Sequence, residues 1–161
     1  MPLFPQKQSD NPLLDAKLTP TACEWLADPH SLTRKLREYT NDQIQFKVIS
    51  RGEWQLTNGE KKIWTRHIQW CLNKALWIDA QVMIPEASMR PELKNLGETP
   101  IGELLFPKNV AVARDFIFTK NNDGSWTRES MVFYKEKPIY IRETFLAEFF
   151  LQIGLRPRCK L

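Results

Sequence analysis

Cysteine and histidine are scarce in this chain, and its few glycines form no phosphate-binding loop. Three cysteines, Cys23, Cys71 and Cys159, stand far apart with no C-x-x-C pair, so neither a zinc site nor a dithiol centre is written into the sequence, and reduced thiols are expected. Two histidines, His30 and His67, leave a metal site or a histidine-based triad short of partners. The six glycines supply no phosphate-loop or dinucleotide pattern and no G-x-S-x-G elbow. The longest apolar run, Phe145 to Leu151, is broken by Glu148 and falls far short of the roughly 20 residues needed to span a membrane. MPLFPQKQ at the start lacks the apolar core of a signal peptide, so a cytoplasmic location is expected, with no membrane insertion. No lysine-arginine block accompanies the net charge of +4. That balance favours attraction of a small anion over contact with nucleic acid. Without a heptad or an interface stripe, a monomer is expected.

What is present describes an ordinary globular chain. With 161 residues, 42% of them hydrophobic and 26% charged, it is expected to form a single domain, 1–161, that buries about 70% of its unfolded surface. Six tryptophans and nine phenylalanines provide bulky core material. Residues 1–18, with prolines at 2, 5 and 12, read as an extended arm. Thr19-Pro20 opens a helix through Trp25 and Leu26 that Asp28-Pro29 ends, and Ser31 caps another in which Leu32, Leu36 and Tyr39 share a face. From Gln43 the period becomes two. Strands are expected over Phe46–Ser50, Ile63–Leu72, Trp77–Ile84, Val110–Thr119, Ser125–Tyr134 and Ile139–Ala147, with turns at Asn58-Gly59, Asn73-Lys74 and Asn121–Gly124. Short links between neighbours imply an antiparallel sheet covered by helices, an α+β fold. Residues 148–161 are open between helix and loop.

Between the third and fourth strands lies the densest stretch, Leu93 to Asp115. Leu93 and Leu96 suggest a helical turn stopped by Gly97. Thr99-Pro100 suggests a capped second helix over Ile101–Leu105, closed by Pro107. Gly102 would allow close backbone approach there, and the free amides at the second helix's start could seat an anion.

Alternation exposes two residues out of character with their rows. Trp64, Arg66, Ile68, Trp70 and Leu72 share one face, so Arg66 points inward, while Ile139, Ile141, Glu143, Phe145 and Ala147 place Glu143 in a second apolar row. A buried guanidinium needs a carboxylate. Two arrangements satisfy this: an Arg66–Glu143 ion pair inside the sheet, or a pocket between them in which Arg66 clamps a ligand carboxylate and Glu143 meets a hydroxyl at the ligand's other end. Arg114, alternating with Val112, Phe116 and Phe118, is a weaker inward candidate.

Several ordered blocks stand out: Trp64-Thr65-Arg66, Pro91-Glu92-Leu93, the run Leu96 to Gly102 with Leu105-Phe106, Arg114-Asp115-Phe116-Ile117, Lys137-Pro138, and Glu143 to Leu146. Together they resemble the chorismate pyruvate-lyase family from about Ser31 to Leu146. The resemblance implies a six-stranded antiparallel sheet with a ligand enclosed beneath short helical flaps. It also implies a cofactor-free lyase acting on chorismate, the first committed step toward ubiquinone, with 4-hydroxybenzoate and pyruvate as products. By position in the family's motifs, Arg66 would bind the aromatic carboxylate and Glu143 the hydroxyl. Leu32 and Ile101 would contribute main-chain and apolar contacts. Product held by the same arginine and glutamate would leave slowly, giving product inhibition. The resembling fold is similar, too, to effector-binding domains of some bacterial regulators, so a non-catalytic module binding a small aromatic or sugar acid is the alternative. Residues 1–40 are too short for the DNA-binding domain that such regulators carry. The family pattern matches poorly in the arm and after Leu146.

Overall fold

The computed structural model describes residues 18–107 and 114–155. Most of the expected arm, the start of the strand expected from Val110, Cys159 and the tail beyond Leu155 lie outside the described residues.

Helix α1 spans Pro20–Ala27 and helix α2 spans Leu32–Tyr39. Both begin as the sequence predicts. Thr19 Oγ1 accepts from the Ala22 amide at 3.1 Å and Ser31 Oγ from the Arg34 amide at 3.2 Å, each satisfying one otherwise unpaired donor of a helix start. Six antiparallel strands follow in chain order, β1 (Gln45–Leu56), β2 (Lys62–Leu72), β3 (Ala75–Pro85), β4 (Phe116–Lys120), β5 (Trp126–Tyr134) and β6 (Lys137–Phe145). Their order across the sheet is β1-β2-β3-β6-β5-β4. The sheet is therefore two three-stranded meanders joined where β3 pairs with β6. Two-residue turns close two of the hairpins, Asn73-Lys74 and Lys135-Glu136, and all four residues have positive φ, the backbone that matches strand twist in a tight hairpin.

Between the meanders the chain leaves the sheet. A 3₁₀ turn at Glu86–Ser88 is followed by the single-turn helices α3 (Pro91–Lys94) and α4 (Gly102–Leu105), which form a flap over one part of the inner face. Gly97 between them has φ +60, the left-handed backbone that glycine adopts without penalty. One expectation fails here. Ile101, not Thr99, is the N-cap of α4 and makes no side-chain cap bond, while the Thr99 carbonyl accepts from Arg66. The C-terminal helix α5, Ala147–Leu155, settles the first part of the segment that the sequence leaves open.

Alternation along the strands splits the sheet into a covered inner face and an outer face that is polar apart from a small apolar cluster of Ile63 and Met83 with Ile117 and Tyr140. On the outer face Asp79 binds both His67 (2.6 Å) and Gln69 (2.9 Å), and Arg142 meets Glu129 at 3.2 Å. The inner face carries two apolar clusters. One packs α1, α2 and α5 through Trp25, Leu26, Leu36 and Phe149 against Trp70, Trp77 and Phe145. The other packs the flap through Leu93, Ile101, Leu105 and Phe106 against Val82, Val132, Ile139 and Ile141. Burying one such side chain contributes about 1.5–3 kcal/mol, so the flap is anchored by four of them.

Candidate active site

At the seam between the two clusters lies a cavity of about 50 Å³. Its lining includes Leu32 from α2, Arg66 from β2, Ile101 at the start of α4 and Glu143 from β6. The four residues singled out from the sequence thus meet at one place, and Arg114 lines the same cavity.

Strand register explains the space. Ile68, Ala80, Glu143 and Arg128 form one cross-strand row, and Arg66, Val82, Ile141 and Ser130 the next. Ala80 is the small member of its row, and the gap above its methyl group separates β2 from β6. Two strand spacings hold Arg66 and Glu143 roughly 10 Å apart in the plane of the sheet. No Arg66–Glu143 ion pair forms.

Arg66 is buried at 1% exposure. Its Nη2 donates to the carbonyl oxygens of Gly97 and Thr99, both at 2.8 Å, so the flap backbone is its protein partner. Its Nε and Nη1 have no hydrogen-bond partner among the described residues. A buried donor left unmatched costs about 1–3 kcal/mol, so this end of the cavity has unspent hydrogen-bonding capacity from a cation. Burial pushes the Arg66 pKa down, and the nearby Glu98 charge opposes the shift.

Glu143 sits in a different setting. Arg128 Nε donates to Oε1 at 2.7 Å and Nη2 to Oε2 at 3.4 Å, while Arg114 Nη2 lies 3.6 Å from Oε1. Burial alone would raise the Glu143 pKa, but the Arg128 and Arg114 charges and the Arg128 hydrogen bond outweigh it, holding the carboxyl below its ordinary range and ionised. Arg128 completes its bonding through Nη1, which donates to the carbonyls of Trp25, Leu26 and Asp28 at 3.3, 3.0 and 3.3 Å. These are orphan acceptors at the end of α1. Arg128 escapes the motif reading, yet alternation along Trp126, Arg128, Ser130 and Val132 puts it inward by the logic that found Arg66.

Leu32 and Ile101 supply apolar walls, both 9% exposed, with Phe46 and Phe106 beside them. Gly102 is needed for approach to α2, since a Cβ there would stand 2.9 Å from Thr33 Oγ1. An open groove of about 480 Å³ between α2 and α4 shares Thr33, Gly102 and Phe106 with the cavity. Arg37 and Glu103, both lining this groove, bridge the two helices at 2.7 Å. The helix start at Ile101, which the sequence offers as an anion seat, opens a helix of only four residues, and the cationic groups of the cavity come from the sheet and the segment entering β4. Among the described residues no group of three or more His, Cys, Asp or Glu could hold a metal ion, and no helix is long and apolar enough to cross a membrane.

The fold and cavity define an α+β protein with a small buried cavity lined by two arginines and a glutamate. Comparison with known proteins makes the class specific. The sequence profile of the family described as Chorismate lyase matches residues 8–155, and the chain belongs to that family. It is 31% identical over 147 residues to the chorismate pyruvate-lyase of Erwinia tasmaniensis, covering 84% of this chain and 82% of that one. It is 29% identical over 150 residues to that of Photorhabdus laumondii, covering 86% of each. A probable chorismate pyruvate-lyase from Coxiella burnetii is 26% identical over 155 residues, covering 80% of this chain and 84% of the relative.

Proposed function

We propose that the chain is a chorismate pyruvate-lyase, converting chorismate into 4-hydroxybenzoate and pyruvate. The reading rests above all on Arg66, buried at one end of a narrow cavity with two donors unmatched, opposite an ionised Glu143. Arg66 takes the ring carboxylate in a two-pronged clamp. Leu32 and Ile101 hold the ring between them, and Glu143 accepts a hydrogen bond from the ring hydroxyl.

The reaction follows from that placement. The carbon bearing the hydroxyl loses its proton, and those electrons form a ring double bond. The C–O bond on the adjacent ring carbon breaks, and its electron pair leaves with the enolpyruvyl oxygen. Protonation of the enolpyruvate methylene gives pyruvate. All substrate atoms appear in the two products and no net oxidation occurs, so the reading assigns no cofactor. Aromatisation supplies much of the driving force. The protein fixes the ring at both ends, as positioning catalysis requires, and keeps a negative charge beside the proton that departs.

A cavity that holds benzene measures about 150 Å³, so a substituted ring enters this one only as the walls give way. The flap is the movable wall, tied to Arg66 through the Gly97 and Thr99 carbonyls. A product that must part the same flap leaves slowly and inhibits. The reading takes the protein to act as a monomeric single domain in the cytoplasm.

The test is direct. Purified protein mixed with chorismate should produce 4-hydroxybenzoate, seen by its ultraviolet absorption, with an equal amount of pyruvate. Tight binding of 4-hydroxybenzoate with no turnover would replace the enzyme by a non-catalytic binding domain.

A further inference from the structure

The cavity carries more positive charge than one carboxylate ligand answers. Arg66, Arg114 and Glu143 line it, and Arg128 stands behind Glu143, bound to it at 2.7 Å, so three guanidinium groups against one carboxylate leave two positive charges. Other acids nearby do not close the gap. Glu98 is exposed and bound to Arg51, and Asp28 is engaged by Lys35 and His30. Buried charge without a counter-charge is costly.

The three arginines differ in what they have left to give. Arg128 spends all three nitrogens on Glu143 and on the end of α1. Arg66 keeps two donors. Arg114 is the third case. Its side chain is 2% exposed, Nη2 donates to Ser130 Oγ at 2.7 Å, and Nε is buried without a partner among the described residues. Its guanidinium lies over the rings of Phe116 at 4.8 Å and Phe106 at 5.3 Å. Phe106 lines the cavity and so does Arg114 itself.

We infer that Arg114 is the seat of the substrate's second carboxylate, the one on the enolpyruvyl group, and the residue that lets the site distinguish substrate from product. The inference rests on the lyase reading above. In chorismate the ether is on the ring carbon next to the one bearing the hydroxyl. With the hydroxyl at Glu143, the enolpyruvyl group is held at the Glu143 end, where Arg114 stands 3.6 Å from the glutamate. The two uncompensated cations then meet a dianion. As the C–O bond breaks, negative charge gathers on the departing oxygen beside the same guanidinium, so Arg114 binds the transition state more strongly than the ground state. 4-Hydroxybenzoate has no second carboxylate and makes no use of it.

This separates Arg114 from a merely structural arginine. Arg114→Gln should lower kcat/KM for chorismate by about 100-fold, a typical cost of losing a buried charge-assisted contact, while the dissociation constant for 4-hydroxybenzoate changes less than about threefold. Arg114→Lys keeps the charge without the planar fork and should recover about a tenth of the wild-type kcat/KM. Equal losses in turnover and product binding, or no loss of turnover, would overturn the assignment. If a thermal melt shows Arg114→Gln unfolded, Arg114→Lys carries the same comparison, and unchanged kcat/KM in that variant is then the overturning result. Wild-type protein without chorismate turnover would instead sink the lyase reading itself, so the two failures are distinguishable.

Discussion

Arg66 and Arg128 are both buried arginines on next-to-edge strands of one sheet, β2 and β5, yet they are used in opposite ways. Arg128 donates through every nitrogen to protein acceptors, tying Glu143 to the end of α1. Arg66 donates through one nitrogen to two flap carbonyls and keeps Nε and Nη1 unmatched. A buried cation whose donors are all used holds a fold together, while one with donors to spare beside a cavity can still take a partner. The contrast also divides the molecule: the β5–β6 end of the cavity is braced by Arg128, and at the β2 end the hydrogen bonds to Arg66 come from the flap.

Removing the brace should do the most damage. Arg128→Met leaves Glu143 buried with only the more distant Arg114, and strips three carbonyls of their donor, so unfolding free energy should fall by about 3–5 kcal/mol; a denaturant titration reads it, and a loss below 1 kcal/mol would mean Arg128 is no brace. Arg66→Ala should keep the fold and reduce 4-hydroxybenzoate affinity by about 100-fold or more, measured by calorimetry. Retained affinity would take Arg66 out of the binding site. Glu143→Gln keeps the shape and should retain much of the product binding while kcat drops about 100-fold, the scale of a lost proton-transfer partner. Normal turnover in that variant would leave Glu143 a structural residue.

Acid should act on the braced end. The Glu143 pKa is lowered in the folded protein, and that of Asp28, whose carbonyl also accepts from Arg128, falls from 3.8 to about 2 as the Lys35 and His30 hydrogen bonds overcome burial. Groups with depressed folded values stabilise fully above their unfolded pKa, and that stabilisation is lost as pH falls through the folded value. Thermal stability should therefore hold down to the ordinary carboxylate range near pH 4 and decline from there toward pH 2, with Arg128→Met showing a flatter decline. The smallest expected effect lies away from the cavity: Thr19→Ala removes the cap of α1 and should cost about 1 kcal/mol with turnover unchanged.

Much of this architecture was legible in the residues. Period-two rows marked the strands of both meanders and exposed Arg66 and Glu143 as charges in apolar company, because a pleated strand sends alternate side chains to opposite faces. Thr19-Pro20 and Ser31 marked helix starts because capping is local. Thr99 misled because the same residue types can serve a turn, and the distant Arg66 recruited its carbonyl. Arg128 belongs to no local motif, and its only signal is its place in the inward row of Trp126, Ser130 and Val132.

By itself, the sequence determined the antiparallel α+β class, the inward direction of Arg66 and Glu143, and the sharp flap turn at Gly97, all consequences of short-range backbone and side-chain geometry. Only the tertiary structure decided between an ion pair and a pocket. That choice depended on which strands became neighbours across the sheet, and β3 with its small Ala80 came between the two charges. The same long-range pairing brought Arg128 opposite Glu143 and the Arg114 segment to the same carboxylate, contacts that no local pattern encodes.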